Sequence, residues 1–489
     1  MQSFAWLWAK HDTGGELGVT PAALFADHRC TEGWLLVKPG NQVAGSPSEV
    51  PTRRLGQNST EIVYGVVPRN FDPPGFAGVM ARLDSLADLG VTALWLTPIT
   101  PTVPGAFGYE VLDYTDIRPD YGTKAEFRAL VDATHARGMR VLLDIVPNHT
   151  SEQHPFFLDA VQHGEASPYW DSYDRDETGA PTHYFSWHHL PNLNVDNPAV
   201  QAFIHDAFAY WMREFDVDGF RIDAIWGIRQ RNPVFLASLV KALREINPDV
   251  LLIAEASARD PYYAENDFDA AYDWTEELGQ WAWRDVFSGA QPPGEVLTDA
   301  ITNRGQGYRA DTLVLRFLNN NDTGPRFITT HGVGCYRAAM AMLLTLPGIP
   351  CLFTGDEVGA EYEPYKTTGP IDWMDQYGLR DDIRRLIALR REIPALHSRA
   401  WAPLGGSPAV SIFTSLRGDR ETGQAVVIVN FSPHEQIATI ALPAQLAAGA
   451  GVGGLRDLWS GETYDLPAEG SLDLALPGHG FRIMMAGSS

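Results

Sequence analysis

Residues 124–149 read KAEFRALVDATHARGMRVLLDIVPNH and contain a helix pattern followed by a strand pattern. In 124–137 the apolar residues recur at helical spacing, and Gly138 follows at a place where helices commonly end. The run 141–145 is apolar and rich in branched side chains, which predicts a buried strand. A helix that leads into a buried strand is the repeating unit of a parallel α/β fold.

The same alternation continues along the chain from residue 61 onward. A helical pattern at 76–89 ends at Gly90, for example, and leads into the next apolar run. Eight strands joined by helix-length segments predict a parallel (β/α)8 TIM barrel rather than a β-sandwich. The predicted strands cover residues 62–67, 91–96, 141–145, 219–223, 251–255, 268–272, 312–317 and 350–353.

Two segments depart from the alternation. Residues 150–194 are polar and aromatic with little periodicity, and structureless loops of that length are uncommon, so we expect a short inserted subdomain after the third strand. After a helix at 381–391, a series of short strands predicts a C-terminal all-β sandwich domain; these strands lie at 409–414, 425–430, 437–442 and 481–485. The expected domains are an N-terminal extension at 1–60 with a short strand at 34–37, the catalytic barrel at 61–149 and 195–395, the inserted subdomain at 150–194, and the sandwich at 396–489.

The composition is that of an ordinary globular protein, and its charge argues against one class of partner. The 489 residues include 61 acidic and 37 basic side chains, a formal net charge of −24, which argues against nucleic-acid binding. No run approaches the roughly 18 apolar residues of a membrane span. The three cysteines, Cys30, Cys335 and Cys351, are too few for a disulfide scaffold. No basic leader precedes the first apolar residues, so we expect a cytoplasmic protein, or a secreted one if a signal peptide has been removed, and the oligomeric state stays open.

Acidic residues end several of the predicted strands. Asp144 lies at the end of the third strand, Asp223 and Glu255 end the fourth and fifth, and Asp322 follows the seventh. The C-terminal ends of the strands of a parallel barrel meet on one rim, where catalytic residues lie. Each acid alone could equally be structural. Three carboxylates on one rim repel each other, however, unless a substrate or a metal ion uses them.

A retaining glycosidase would use such acids, because it places two carboxylates about 5–5.5 Å apart. Arg221 precedes Asp223 by two strand positions, so we expect its guanidinium to lower the pKa of Asp223 and keep it an ionised nucleophile. Glu255 lies among apolar residues, where a raised pKa suits a general acid. A divalent cation held by the same acids is the weaker alternative, because the sequence has neither H-E-x-x-H nor a D-x-D-x-D-G loop. Nucleotide-binding glycine loops and the G-x-S-x-G elbow are absent from the sequence too.

Several blocks resemble, in order and spacing, the signature blocks of the α-amylase family of glycoside hydrolases. The blocks that carry the resemblance are DIVPNH at 144–149, GFRID at 219–223, the apolar strand that ends at Glu255, and FLNNND at 317–322. Supporting blocks are GYEVLDY at 108–114, LPNLN at 190–194 and GIPCLFTGDEVG at 348–359. The resemblance extends from about residue 61 to the C-terminus.

The resemblance implies a role for each of the three carboxylates. Asp223 would be the nucleophile, Glu255 the general acid/base, and Asp322 the carboxylate that binds the hydroxyls of the distorted sugar in subsite −1. The other implied contacts near that sugar come from Arg221 beside the nucleophile, Tyr109 stacked on the ring and His149 at the 6-hydroxyl.

The resemblance also bears on metals. Asn148 is a calcium ligand in some relatives, and its alternative role is to order the loop that carries His149. The segment 68–74 lacks the Asp/Asn-rich calcium loop of some subgroups. We therefore expect no required cofactor and no metal in the active site, although the family pattern leaves room for a structural Ca²⁺ ion.

Three positions depart from the family pattern. Asn321 stands where relatives usually have His before the third carboxylate, and its neutral, shorter side chain predicts weaker transition-state binding or a shifted pH profile. Trp226 lies after the nucleophile where many relatives have Lys-His, and it either forms a stacking platform for sugar beyond the cleaved bond or faces the core. Glu110 replaces an Asp of its block.

The expected function is retaining hydrolysis of α-glucosidic, mainly α-1,4, bonds in maltooligosaccharides or α-glucans through a covalent glycosyl-Asp intermediate. The alternative is a transglucosylase or isomerase that uses the same acids to form trehalose or oligosaccharides. A non-catalytic sugar-binding relative is disfavoured because all three acids are kept. The expected partner is an α-linked oligosaccharide or polysaccharide substrate, with neither nucleic acid nor membrane.

Overall fold

The computed structural model describes residues 59–486 with short gaps. The gaps lie at 276–278, 284–285, 288–291, 310–311, 405, 409–410, 444–445, 447–453 and 466–469. The first 58 residues, with the strand predicted at 34–37 and Cys30, lie outside the described part, as does the start of the strand predicted at 409–414.

Eight parallel strands close into a barrel in chain order, with β1 hydrogen-bonded to β8. This confirms the predicted fold, and each predicted strand end lies within two residues of the observed one. The strands are apolar on both faces because one face fills the barrel interior and the other is covered by helices. They are β1 Val63–Val66, β2 Ala93–Leu96, β3 Arg140–Ile145, β4 Gly219–Ile222, β5 Leu251–Ser257, β6 Ala270–Tyr272, β7 Leu313–Phe317 and β8 Ile349–Phe353.

The helices start where local sequence favours it. Thr123 and Glu126 form a capping box at the start of the second helix, and prolines occupy the first turn of several others. Within the described residues, no helix combines the length and the apolar character needed to cross a membrane. The helices are α1 Phe76–Leu89, α2 Lys124–His135, α3 Pro155–His163, α4 Pro198–Phe215, α5 Ile225–Arg231, α6 Pro233–Ile246, α7 Tyr262–Glu265, α8 Pro293–Thr302, α9 Phe327–Thr345, α10 Leu379–Glu392 and α11 Pro394–His397.

Large aromatic side chains fill the barrel interior. Trp95, Tyr272 and Phe353 come from different strands and pack edge to face, with ring centroids 5.9–6.4 Å apart around Trp95. Gly65 of β1 makes room for them, since a Cβ there would lie 2.3 Å from the Phe353 ring. These three rings, here called the aromatic floor, fill the barrel interior beneath the polar groups of the rim.

The insertion after β3 returns to the strand it leaves. It carries α3, and near its end Asn192 forms an isolated antiparallel bridge with His149. The amide of Leu193 donates to the carbonyl of Asn148 at 3.0 Å. The last residues of the insertion therefore lie beside the polar end of β3.

The C-terminal region consists of two antiparallel sheets, which confirms the predicted all-β sandwich class. One sheet has the order β10-β13-β16 and the other β15-β14-β17-β12-β11-β9. The domain boundaries given above stay a prediction. The strands are β9 Trp401–Pro403, β10 Gly406–Pro408, β11 Ile412–Asp419, β12 Gly423–Asn430, β13 Gln436–Ala441, β14 Leu455–Asp457, β15 Thr463–Tyr464, β16 Ser471–Leu476 and β17 Phe481–Ala486.

A buried arginine joins this region to the barrel helices. Arg417 of β11 is 0% exposed and donates to four main-chain carbonyls at the ends of α9 and α11 and just after α11. The acceptors are Thr345 at 2.5 Å, Leu396 at 3.1 Å, Ser398 at 2.5 Å and Ala400 at 2.6 Å. Burial lowers the pKa of Arg417, and the positive charges of Arg390 and Arg316 lower it further.

We expect Arg417→Leu to lower the free energy of unfolding by about 3 kcal/mol or more, because it leaves buried carbonyls without donors. The measurement is urea unfolding followed by tryptophan fluorescence. The matched control is Arg456→Leu at the exposed position of β14, which should change stability by no more than about 0.5 kcal/mol. Equal effects of the two substitutions would contradict this account of Arg417.

Candidate active site

Arg221 of β4 lies at the centre of the rim. Its side chain is 0% exposed, and one guanidinium contacts three carboxylates. Nη1 lies 2.8 Å from Asp144 Oδ1 and 2.8 Å from Asp223 Oδ1, and Nη2 lies 2.9 Å from Glu255 Oε1. Its Nε donates to Tyr272 Oη at 2.9 Å. Asp223 and Arg221 face the same side, as their spacing of two strand residues predicts.

The turn after β4 links Asp223 to Glu255. Ala224 follows Asp223 with φ at 47°, a left-handed conformation that is uncommon for a residue with a Cβ. Its amide donates to Glu255 Oε2 at 2.5 Å. The strained turn therefore holds the carboxylate at the end of β4 and the carboxylate of β5 in fixed relation.

The electrostatics of this cluster correct one sequence-based expectation. Burial raises the pKa of Asp223, and the guanidinium of Arg221 lowers it by less than burial raises it. The expected net lowering was wrong because Arg221 divides one positive charge among three carboxylates in a buried site. Burial likewise raises the pKa of Glu255 to about 8, although Arg221, distant in sequence, lies directly against it.

The third carboxylate, Asp322, lies at the end of a short relay of polar side chains. Asn321 Nδ2 donates to Tyr365 Oη at 3.1 Å, and Tyr365 Oη donates to Asp322 Oδ1 at 2.8 Å. Asn320 Oδ1 accepts from the Asp322 amide at 2.8 Å and fixes the turn. Burial raises the pKa of Asp322 to about 6, and the hydrogen bond from Tyr365 opposes that rise.

Two further residues predicted from sequence lie around the same rim. Tyr109 Oη donates to Asp144 Oδ2 at 3.0 Å, and its ring stacks on Phe107. His149 is 1% exposed, its ring stacks on Tyr184, and burial lowers its pKa to about 3. A neutral imidazole can exchange hydrogen bonds with a hydroxyl but adds no charge.

Trp226 lies in an aromatic group at the edge of the rim. Its ring is partly exposed and lies 5.6 Å from the Tyr184 ring and 5.3 Å from the Phe185 ring. Phe185, in the insertion, is 51% exposed and has φ at 53°. An exposed aromatic ring on a strained backbone is unusual and marks a candidate contact surface.

The sequence analysis missed several side chains that shape this site. Asp144 was noted at a strand end without a role, yet it accepts hydrogen bonds from Arg221, Trp95 and Tyr109. Tyr365 lies after β8 in a segment without periodicity, and only its contact with Asp322 in the folded chain reveals it. The barrel interior position of Tyr272 was a usable signal, because inward residues near the rim face the site.

The calcium ion that the resemblance implies does not fit the residues around Asn148. Asn148 Oδ1 accepts a hydrogen bond at 2.7 Å from Nη2 of Arg231, the last residue of α5. A guanidinium therefore already lies against the oxygen that a calcium ion would need.

A family model supports what the geometry indicates. The model described as alpha amylase, catalytic domain, matches residues 72–385. The chain belongs to the α-amylase family of glycoside hydrolases. The match covers every barrel strand except β1, and it includes the insertion.

Individual relatives agree with this assignment. The chain is 30% identical over 393 residues to the alpha-amylase MalA of Haloarcula japonica, a match that covers 78% of this chain and 57% of that one. It is 28% identical to a cyclomaltodextrinase of Geobacillus thermopakistaniensis, covering 92% of this chain and 76% of the relative. Its fold matches a crystal structure of the Geobacillus thermoleovorans alpha-amylase complexed with acarbose, with a TM-score of 0.71 at 22% identity, over 88% and 99% of the two chains.

We expect Tyr365→Phe to raise the pKa of Asp322 above about 6, because the lost hydroxyl stabilised its ionised form. As the pH falls, activity that requires ionised Asp322 should then be lost at a higher pH than in the wild type, so the acid limb of the kcat/KM profile should move toward higher pH. The control is Tyr362→Phe, whose hydroxyl donates to the Thr354 carbonyl in the same segment and should leave the limb in place. An unmoved acid limb in Tyr365→Phe would contradict the relay.

Proposed function

We propose that the protein is a retaining glycosidase that hydrolyses α-glucosidic, mainly α-1,4, bonds in maltooligosaccharides or α-glucans. The observation that carries the proposal is the close pairing of Asp223 and Glu255. Both contact the guanidinium of Arg221, and the amide of Ala224, directly after Asp223, donates to Glu255 Oε2 at 2.5 Å. Inverting enzymes separate their carboxyl groups by about 6.5–9.5 Å to admit a water, whereas retaining enzymes keep them close.

In the first step Asp223 forms a bond to the anomeric carbon as the glycosidic C–O bond breaks. Glu255 gives its proton to the leaving oxygen, and its raised pKa, about 8, keeps that proton available at neutral pH. In the second step Glu255 takes a proton from water, whose oxygen attacks the same carbon and releases Asp223. The proton taken from water restores Glu255 to its starting state.

The remaining rim residues bind and orient the sugar. Among the described residues nothing donates a hydrogen bond to Asn321 Oδ1, although this atom is buried, so it can accept from a sugar hydroxyl. Asp322 and the neutral ring of His149 would bind further hydroxyls, and Tyr109 would stack on the ring. Tyr365 acts through Asp322 as a positioning residue.

The substrate class follows from the site and the relatives together. The relatives are named as an alpha-amylase and a cyclomaltodextrinase, and a fold match binds acarbose. The exposed Phe185 and the partly exposed Trp226 provide aromatic faces on which pyranose rings can stack. We also propose a cytoplasmic location, since Cys335 and Cys351, the two cysteines among the described residues, are free, buried thiols.

A second candidate function, transglucosylation, is favoured by the aromatic surface that Phe185 and Trp226 form. It uses identical carboxylates and differs only in whether water or a sugar hydroxyl attacks the intermediate. A sugar held on Phe185 and Trp226 would compete with water at that step. The two activities therefore differ in products and not in the catalytic acids.

Asp223→Asn should lower kcat on maltoheptaose more than about 1,000-fold, because the nucleophile is lost. Glu255→Gln should lose about 10²–10⁴-fold on the same substrate but far less on α-maltosyl fluoride, whose leaving group needs no proton. Asp206→Asn, on the exposed surface of α4, is the matched control and should retain full activity. Near-normal turnover by Asp223→Asn would refute the assigned nucleophile.

For the wild-type enzyme we expect shorter maltooligosaccharides from maltoheptaose, and longer ones only at high substrate concentration. Trp226→Ala should lower the ratio of transfer to hydrolysis products by about fivefold, because the loss of one stacking contact weakens acceptor binding. The measurement is a time-resolved product profile by chromatography. If the ratio of transfer to hydrolysis products is unchanged in Trp226→Ala, this ring does not hold the acceptor. That outcome would leave the proposal of hydrolysis untouched.

A further inference from the structure

Arg231 is surrounded by oxygen atoms on the side of α5 that faces the insertion. Each of the five N–H bonds of its guanidinium group, including the one at Nε, has an oxygen acceptor. Nε donates to the Gly227 carbonyl at 3.2 Å, Nη1 to Asp174 Oδ2 and to the Leu193 carbonyl at 2.5 Å, and Nη2 to Asn148 Oδ1 at 2.7 Å and the Asn148 carbonyl at 3.4 Å.

These acceptors, here called the oxygen cage, come from three separate segments. Asn148 follows β3, Asp174 and Leu193 belong to the insertion, and Gly227 lies in α5. Gly227 packs so closely that a Cβ there would lie 2.4 Å from Asn148 Oδ1. One cation therefore joins the loop that carries His149, the insertion and the helix that follows the nucleophile strand.

The composition of the cage is that of a hard-cation site. It presents one carboxylate, one side-chain amide oxygen and three main-chain carbonyls, which are the oxygen types that Ca²⁺ prefers. Asp174 is half-buried, and its charge is compensated by Arg231. The second nearby carboxylate, Asp196, binds Asn232 Nδ2 at 2.7 Å just outside the cage.

We infer that the Arg231 guanidinium is a built-in cation that takes the place of a bound metal ion between insertion and barrel, and that its removal opens the oxygen cage to Ca²⁺. The wild-type chain then holds the insertion without metal. A variant without the guanidinium retains the oxygen donors and has space for an ion and its waters. This inference concerns the folded scaffold and stands apart from the proposed reaction.

The test compares the melting temperatures of wild type, Arg231→Ala and Arg229→Ala in EDTA and in increasing CaCl2. We expect the wild-type value to be equal in both. Arg231→Ala should melt about 3–6 °C lower in EDTA and regain most of that loss with saturable dependence on Ca²⁺. Arg229, on the same helix, pairs with Asp260 outside the cage, so its variant should show no calcium response.

Two further variants make the test decisive. Arg231→Ala combined with Asp174→Asn should lose the calcium response, because the carboxylate of the cage is gone. If Arg231→Ala does not fold, Arg231→Lys replaces it in the test. Lysine keeps the positive charge but has fewer N–H donors than arginine, so this variant should melt at a lower temperature than wild type and show no response to Ca²⁺. A wild type destabilised by EDTA, an Arg231→Ala protein that neither loses stability nor binds Ca²⁺ by calorimetry, or a calcium response in Arg231→Lys would overturn the inference.

Discussion

One buried positive charge organises the rim of this barrel. Arg221 contacts Asp144, Asp223 and Glu255 at 2.8–2.9 Å, and it does so from a strand position that solvent does not reach. Because one positive charge is shared among three buried carboxylates, burial keeps the pKa of each raised, that of Glu255 to about 8. The aromatic floor beneath fixes the guanidinium, which lies 5.3 Å from the Trp95 ring and 5.5 Å from the Tyr272 ring.

The fold could be predicted because each barrel strand is a short apolar run, and because Gly90 and Gly138 mark the ends of the helical patterns before β2 and β3. The acids at the strand ends could be located for the same reason, since β4 and β5 carry Asp223 and Glu255 to the rim by simple register. Asp322 is harder to locate, because it follows β7 in a turn whose shape depends on Asn320. The role of Asp322 came from the family resemblance, whereas the strand pattern predicted only that this residue lies near the rim.

What the sequence could not reveal are the effects that need the third dimension. Tyr365 and Arg231 lie in segments whose local pattern carries no sign of their partners, and both act on residues more than forty positions away. The pKa of Asp223 was misjudged because sequence neighbours show that a cation is present but not how many carboxylates share it or how deeply they are buried. The sequence left open whether Trp226 faces the core or a sugar. Its ring is partly exposed beside Phe185, which supports the hypothesis that it binds sugar.

The anchoring of Arg417 bears on how such chains can be recombined. Its guanidinium lies on β11, and its acceptors lie on both sides of the predicted boundary at 395, with Thr345 at the end of α9 and Leu396 and Ala400 beyond the boundary. A chimaera that joined this barrel to another protein's terminal sheets would leave the Thr345 carbonyl without its donor. The sheet region is therefore joined to a barrel helix by a buried polar contact, which an exchanged region would have to reproduce.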